Sequence, residues 1–239
     1  MNELIYILVM THITSVFFSL YIHRYMAHQQ FVCRPILSWV MKVWIWLTDG
    51  TNVVEWTAIH HNHHKYTDKP GDPHYQFVSG TPWERIKFTS KVAFKAITHG
   101  YRDVAPKEDI VKYASHVPKD WTQKYSRLGI TLLLLINLCL FGYWGLLLWV
   151  MQISWMTIWF TVIVAVGAHH FGYRNSNSND NSKNLLPIGI IVAGEELHNN
   201  HHTNPGNPNL RTRWFEFDIG WMYIKIFEKL GLLTINKRI

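Results

Sequence analysis

Nine of the chain's fifteen histidines fall in three short clusters. His23 and His28 bound the run His-Arg-Tyr-Met-Ala-His. His60, His61, His63 and His64 lie within five residues, and His198, His201 and His202 form a third group. Helix positions i, i+3 and i+4 share one face. His60, His63 and His64 are therefore expected to converge on one point, as are His198, His201 and His202. Such convergence is what a metal ion requires. Imidazole suits zinc, copper, iron and nickel, so the spacing points to metal before it points to which metal. His61 projects about 100° away from His60 and is the poorest ligand of its cluster. His23 and His28, five apart, do not share a face of an ideal α-helix, so they are expected where a helix ends and its backbone loosens. One of His169 and His170 is placed to complete the site. A zinc site takes about four ligands, and eight or nine candidates imply two ions.

The remaining chemistry narrows the reaction. A zinc peptidase carries a glutamate base within His-Glu-x-x-His, which is absent. The paired Glu-x-x-His motifs of soluble di-iron bundle oxidases are absent as well. What is left is a nitrogen-rich two-metal site beside apolar sequence, for which an alkyl chain is the natural substrate. No side-chain base opens an alkyl C–H bond, whereas a redox metal with dioxygen does. Iron is the better expectation on those grounds.

The elements that must position these clusters are strongly apolar. No Asp, Glu, Lys or Arg occurs between Arg127 and Arg174. That is too long for one crossing of a ~30 Å hydrocarbon core, which about 20 helical residues span. Gly142-Tyr-Trp-Gly145 divides it into segments near 128–141 and 146–168. A third uncharged segment covers about 4–22; it lacks a basic leader and is expected to be retained. The stretch 36–54 carries Lys42 and Asp49. If it crossed fully, the first two clusters would face opposite sides of the membrane, so it is read as interfacial or re-entrant, with Trp39, Trp44 and Trp46 at headgroup depth. The expected fold is an all-α integral membrane protein. It has three to four transmembrane or re-entrant helices and a cytoplasmic helical cap holding a histidine-ligated dimetal site, in one domain over 1–239.

Charge supports that topology. Residues 55–127 hold twelve Lys and Arg and residues 171–239 hold eight, while the 142–145 turn holds none. The positive-inside rule then puts all three clusters in the cytoplasm. The net charge of +7 fits loops facing anionic headgroups rather than nucleic acid, because basic and acidic residues are interleaved. Cys33 and Cys139 form no Cys-x-x-Cys pair and read as free thiols. His12 is read as a packing or outer residue, and His99 and His116 as surface residues. Asn175–Ser182 reads as a polar, low-complexity loop.

At this point the residues resemble a known family, the membrane-bound fatty acid desaturases, of the acyl-CoA Δ9 type in a short bacterial form. His23-Arg-Tyr-Met-Ala-His28 is similar to its first box. His60-His-Asn-His-His64 is similar to the second, continuing through Lys65-Tyr-Thr-Asp-Lys-Pro-Gly-Asp72-Pro-His74. Gly194-Glu-Glu-Leu-His-Asn-Asn-His-His202 resembles the third, and Ala168-His-His-Phe-Gly-Tyr-Arg-Asn175 a further ligand segment. The resemblance, which also takes in Trp214-Phe-Glu-Phe-Asp-Ile-Gly-Trp221, implies two Fe2+ ions. Their ligands would be His23, His28, His60, His63, His64, His169, His198, His201 and His202. It implies dioxygen as co-substrate and a cis double bond placed in a fatty acyl chain, acyl-CoA first among the carriers. It also implies a separate electron-transfer protein (ferredoxin, rubredoxin or cytochrome b5-like with a reductase), in a bacterial inner membrane. Trp56 matches a residue lining the acyl tunnel. Asp72, His74, Glu195 and Glu196 are expected around the ligands, since a metal-bound imidazole donates its other N–H to a carboxylate or carbonyl.

The chain departs from that pattern in three places. Ala165 stands where the family has an asparagine four residues before the added ligand. His61 replaces an arginine or other polar residue at a position linked to the substrate headgroup, and His170 replaces a tryptophan. Two other functions compete. One is hydroxylation of an alkane, sterol or carotenoid at a similar di-iron site. The other is metal transport or storage, which would set histidines deep in several crossings; only His12 is so placed.

Overall fold

The computed structural model describes residues 2–74, 81, 83, 84, 87, 91, 94 and 105–236; His99 lies outside them. Helix α1 (Glu3–Phe17) starts where the Asn2 side chain accepts from the Leu4 N–H. It runs unbroken into a widened, π-helical stretch, Phe18–Ala27. There the backbone bonds reach five residues back, as from His28 N to His23 O at 3.0 Å. The apolar run thus extends past the expected 4–22. The chain then turns through Gln29 at φ +49° into strand β1 (Phe31–Cys33).

Helix α2 (Pro35–Thr48) has proline in its first turn, where the missing N–H costs nothing. The expected 36–54 segment breaks after it. Gly50 takes φ +68°, and a Cβ there would stand 3.0 Å from the Ser126 carbonyl oxygen. Asn52 then accepts from Glu55 N and caps α3 (Val53–Tyr66), the helix carrying the second cluster. Farther along the chain come the short helices α4 (Lys107–Tyr113) and α5 (Trp121–Lys124).

The uncharged stretch forms a hairpin of α6 (Ser126–Phe141) and α7 (Trp144–Met156), turning at Gly142 with φ +58°. The hairpin closes tightly because Gly145 lies against the α6 backbone. A Cβ there would come within 2.2 Å of Asn137 O. Buried Asn137 accepts from Tyr6 Oη at 2.6 Å and donates to Gln152 at 2.9 Å, joining α1, α6 and α7. Beyond α7 the helix widens over Thr157–Val164 and tightens into a 3-10 turn, Gly167–His169. Glu3–Ala27 and Trp144–His169 are long and apolar enough to cross a membrane; Pro35–Thr48 and Ser126–Phe141 are shorter apolar helices.

The remaining chain forms a cap around helix α8 (His198–Thr203). Among the described residues the all-α expectation is corrected by two short strand pairs. β1 pairs antiparallel with β4 (Leu233–Ile235), and β2 (Ile188–Gly189) pairs in parallel with β3 (Phe217–Asp218). Helix α9 (Ile219–Lys229) connects β3 to β4, and the Asp218 carboxylate caps it by accepting from Trp221 N. The strands join the tail to the segment just after the first cluster. The tie is strengthened by Arg24, fully buried beside His23. Its guanidinium donates to both Asp218 oxygens at 3.0 and 3.1 Å, to Ala193 O and to Pro208 O. A planar fork suits that carboxylate.

Candidate metal centre

The helical elements bring nine imidazoles together as two groups. One holds His23, His28, His60, His64 and His201; the other holds His63, His169, His198 and His202. Within each group one ligand atom from every ring lies within 4.8 Å of the rest. The expectation of one point per triad is corrected here. On α3 the i, i+4 pair His60 and His64 joins the first group while His63 joins the second. On α8 the pair His198 and His202 joins the second group while His201 joins the first. Position i+4 lies about 40° to one side of i and position i+3 about 60° to the other, so each triad straddles two points. Each helix thereby bridges both groups.

The first cluster needs a different device. Five residues along an α-helix rotate a side chain about 140° out of line. The π-helical turn narrows that offset, and the direct His28 N to His23 O bond marks it. His28 Nε2 then comes 2.8 Å from His60 Nε2, and His23 Nε2 comes 3.0 Å from His201 Nε2.

Carboxylates behind four rings set their orientation. His63 Nδ1 donates to Asp72 at 3.0 Å and His202 Nδ1 to Asp180 at 3.0 Å. His169 Nδ1 is 3.1 Å from Asp68, and His23 Nδ1 is 2.8 Å from Glu195. In His63, His169 and His202 the carboxylate holds the proton on Nδ1, which leaves the Nε2 lone pair free to point into the group. His63 Nε2 and His202 Nε2 are buried there without a hydrogen-bond partner. Each group offers one ring nitrogen per histidine, mutually close enough to hold a metal ion.

Electrostatics keep these rings in the ligating form. Burial first, and then repulsion among neighbouring imidazoles, push His60, His64, His198 and His201 well below the usual imidazole range. Burial lowers His202 to about 4 even though Asp180 opposes it. Burial alone would raise Asp72 and Asp180, but their bonds to His63 and His202 hold both well below the usual carboxylate range. A histidine that is neutral when folded binds a proton on unfolding once the pH is below its unfolded value of about 6.5, so stability is lost as pH falls from there. We expect the unfolding midpoint of the metal-free protein to drop steadily from pH 7 to pH 5. A midpoint flat across that window would contradict the burial of these rings.

The other expected residues divide clearly. Trp56 stacks on His60 (centroids 4.6 Å, planes 12° apart) and lines an apolar cavity that opens onto both groups. Phe18, Met156, Phe160 and Val164 line it too, with Ala165 on its wall near the second group. His74 also borders it, its ring 5.0 Å from that of His63, and burial lowers it to about 3. His61 is in neither group; it bonds Ala27 O at 2.9 Å and stacks on Tyr113. His170 is in neither group and ends the 3-10 turn. Glu196, expected beside an imidazole, instead accepts from the backbone N–H groups of Ile191, Val192 and Gly194, bracing a loop where Ala193 and Gly194 have positive φ. Burial pushes it up to about 7. His12 bonds Tyr223 on α9 at 3.1 Å.

Sequence reasoning passed over Asp68 and Asp180. Asp180 sits in the polar loop 175–182, whose serines and asparagines fold its carboxylate against His202: Ser178 and Ser182 donate to it, and Asn175 N and Ser176 N donate to Asn199. An acid amid Ser and Asn, close in sequence to a ligand cluster, was the available signal.

Residues 3–218 match the family described as fatty acid desaturase. The chain is 29% identical over 214 residues to the sn-1 stearoyl-lipid 9-desaturase of Synechocystis sp., covering 88% of this chain and 64% of that relative. It is 26% identical over 219 residues to the sn-1 stearoyl-lipid 9-desaturase of Anabaena variabilis, covering 89% and 75%. It is 29% identical over 232 residues to the hex-5-enoyl-[acyl-carrier protein] acetylenase of Moorena producens, covering 90% and 70%. The chain thus spans slightly less than two thirds of the length of the Synechocystis relative.

Proposed function

This chain belongs to the fatty acid desaturase family, and from that premise we propose that it is an oxygen-dependent fatty acyl desaturase placing a cis double bond at Δ9. The observation that carries this reading is the pairing of two imidazole groups with an apolar cavity that opens onto them. The nine histidines of the two groups are the proposed ligands. Two iron ions held there would supply the redox chemistry that opens an unactivated C–H bond with dioxygen and two external electrons.

The chain's own residues do the positioning. Asp68, Asp72 and Asp180 hold imidazole tautomers and ring angles, and Glu195 stands beside His23. Trp56, Phe18 and Phe160 present apolar surface to an alkyl chain and exclude water from the reacting carbons. The proposed carrier is CoA; the relatives named for stearoyl-lipid substrates favour a membrane acyl-lipid as the second reading. The proposed electron donor is a separate ferredoxin, rubredoxin or cytochrome b5-like protein. The proposed setting is a bacterial inner membrane, crossed by α1, α6 and α7, with the histidines on the cytoplasmic side. The excess of Lys and Arg in 55–127 and 171–239 supports that orientation.

Expression in a host of simple lipid composition is expected to yield new monounsaturated chains, which gas chromatography with double-bond location identifies. Separating the thioester and glycerolipid pools early in a pulse of labelled stearate tells which carrier is desaturated first. An unchanged profile, despite iron loading and a supplied reductase, would overturn the reading. A hydroxylated product would transfer it to the hydroxylase alternative.

A further inference from the structure

The cap carries an outward apolar face that neither the imidazole groups nor the cavity uses. Phe217, Met222 and Ile226 are exposed there along one groove with Trp221, Ile188 is exposed on the strand beside Phe217, and Trp214, shortly before β3, is 88% exposed. The pairing of Ile188 with Phe217 and the Asp218 cap on α9 join strand and helix into one surface. Large exposed apolar side chains grouped along one groove, as Phe217, Met222 and Ile226 are beside Trp221, mark an interaction site. Cations accompany them: Arg211, Lys225 and Lys229 line a shallow groove with Trp221, Met222 and Ile226, and Arg213 precedes Trp214. The acids of this stretch, Glu216 and Asp218, are buried in bonds to their own chain. Glu228 is paired with Lys225. The charge presented outward is therefore positive.

The depth of this face follows from contacts with α1. Tyr223 of α9 bonds His12, Trp44 bonds Thr14 and Trp155 bonds Ser15, each within 3.1 Å. Helix α9 thus meets α1 at the same level as two tryptophans, the residues that favour a membrane interface. From Glu3 to His12 and Ser15 helix α1 rises about 14–18 Å at 1.5 Å per residue, roughly half of the ~30 Å core that the whole Glu3–Ala27 run is long enough to cross. The contact sets α9 against the membrane-spanning part of α1, so its outward side is within reach of one leaflet.

We propose that this face embeds in an anionic phospholipid leaflet, with Trp214, Met222 and Ile226 at the acyl boundary and Arg211, Arg213, Lys225 and Lys229 on the headgroups. The proposal rests on the reading of α1 and α7 as membrane-spanning. It gives the cap a second attachment, through the Asp218–Arg24 pair, directly to the segment bearing His23.

The test uses the full chain in phosphatidylcholine vesicles rich in phosphatidylglycerol, with Cys33 and Cys139 replaced by alanine. Single Met222→Cys and Ile226→Cys variants are reacted with a membrane-impermeant maleimide. Exposed Lys119→Cys serves as the aqueous reference and lipid-facing Leu147→Cys as the buried one. Met222→Cys and Ile226→Cys are expected to label at least about tenfold more slowly than Lys119→Cys, as interfacial burial requires. Adding Lys225→Glu and Lys229→Glu is expected to raise their labelling severalfold. Labelling as fast as Lys119→Cys, with Leu147→Cys still protected, would overturn the embedding proposal alone. Fast labelling of Leu147→Cys as well would overturn the membrane-spanning reading beneath it. Protection that appears only when an acidic redox protein is added would assign the face to a protein partner and overturn the lipid assignment.

Discussion

His63→Ala and His201→Ala should each lose metal and reduce product formation by more than about 100-fold, because removing an outer partner of a ligand already costs 10–100-fold. His63 belongs to the four-imidazole group. His201 belongs to the five-imidazole group, its Nε2 3.0 Å from His23 and 2.9 Å from His64. Each substitution is therefore expected to deplete one ion more than the other, which metal analysis per chain measures directly. His61→Ala is the internal control. Its ring bonds a backbone carbonyl and stacks on Tyr113, so the variant should keep its full metal complement. Metal loss in His61→Ala as complete as in His63→Ala would show the assignment of faces on α3 to be wrong.

The second large effect is on folding. Arg24→Met should destabilise the protein by about 3–5 kcal/mol, the usual result of breaking a buried ion pair by removing one partner. Methionine fills much of the volume but takes the guanidinium from the Asp218 carboxylate and the Ala193 and Pro208 carbonyls, leaving the buried carboxylate with the Leu210 and Trp221 N–H groups and no counter-charge. Arg24→Lys should restore little, because a single ammonium cannot fork to both carboxylate oxygens. The double variant Arg24→Met with Asp218→Leu should recover part of the loss, because it removes the stranded charge as well. Thermal unfolding in detergent, followed by loss of the monodisperse peak, reads all three. An unfolding midpoint for Arg24→Met equal to that of the parent protein would refute the role of this pair.

These expectations show how unevenly the site was legible. His60, His63, His64, His198, His201 and His202 were readable because ligand chemistry depends on residue type and on spacing within one turn, both local properties. The apolar segments were readable for a similar reason: hydrophobicity needs no partner to be recognised. The carboxylates were readable only in part. Glu195 does stand beside His23, but Glu196, its sequence neighbour, turns to a backbone loop. Adjacent residues point in different directions once the local backbone bends, and Ala193 and Gly194 bend it here.

Taken alone, the amino-acid sequence determined that this protein gathers imidazoles and that it does so beside long apolar helices. Composition and short-range periodicity carry that information. Tertiary structure decided which histidine serves which group, because a triad straddling a helix face is divided only by what packs against it. It also decided that His23 and His28 converge, since a π-helical turn depends on the surroundings that stabilise it. Asp180 reaches His202 only because a polar loop folds back across 22 positions of chain, and Asp218 reaches Arg24 across 194. Contacts at such separations follow from the path of the whole chain: an acid amid Ser and Asn hints at a partner, but no local pattern says which one.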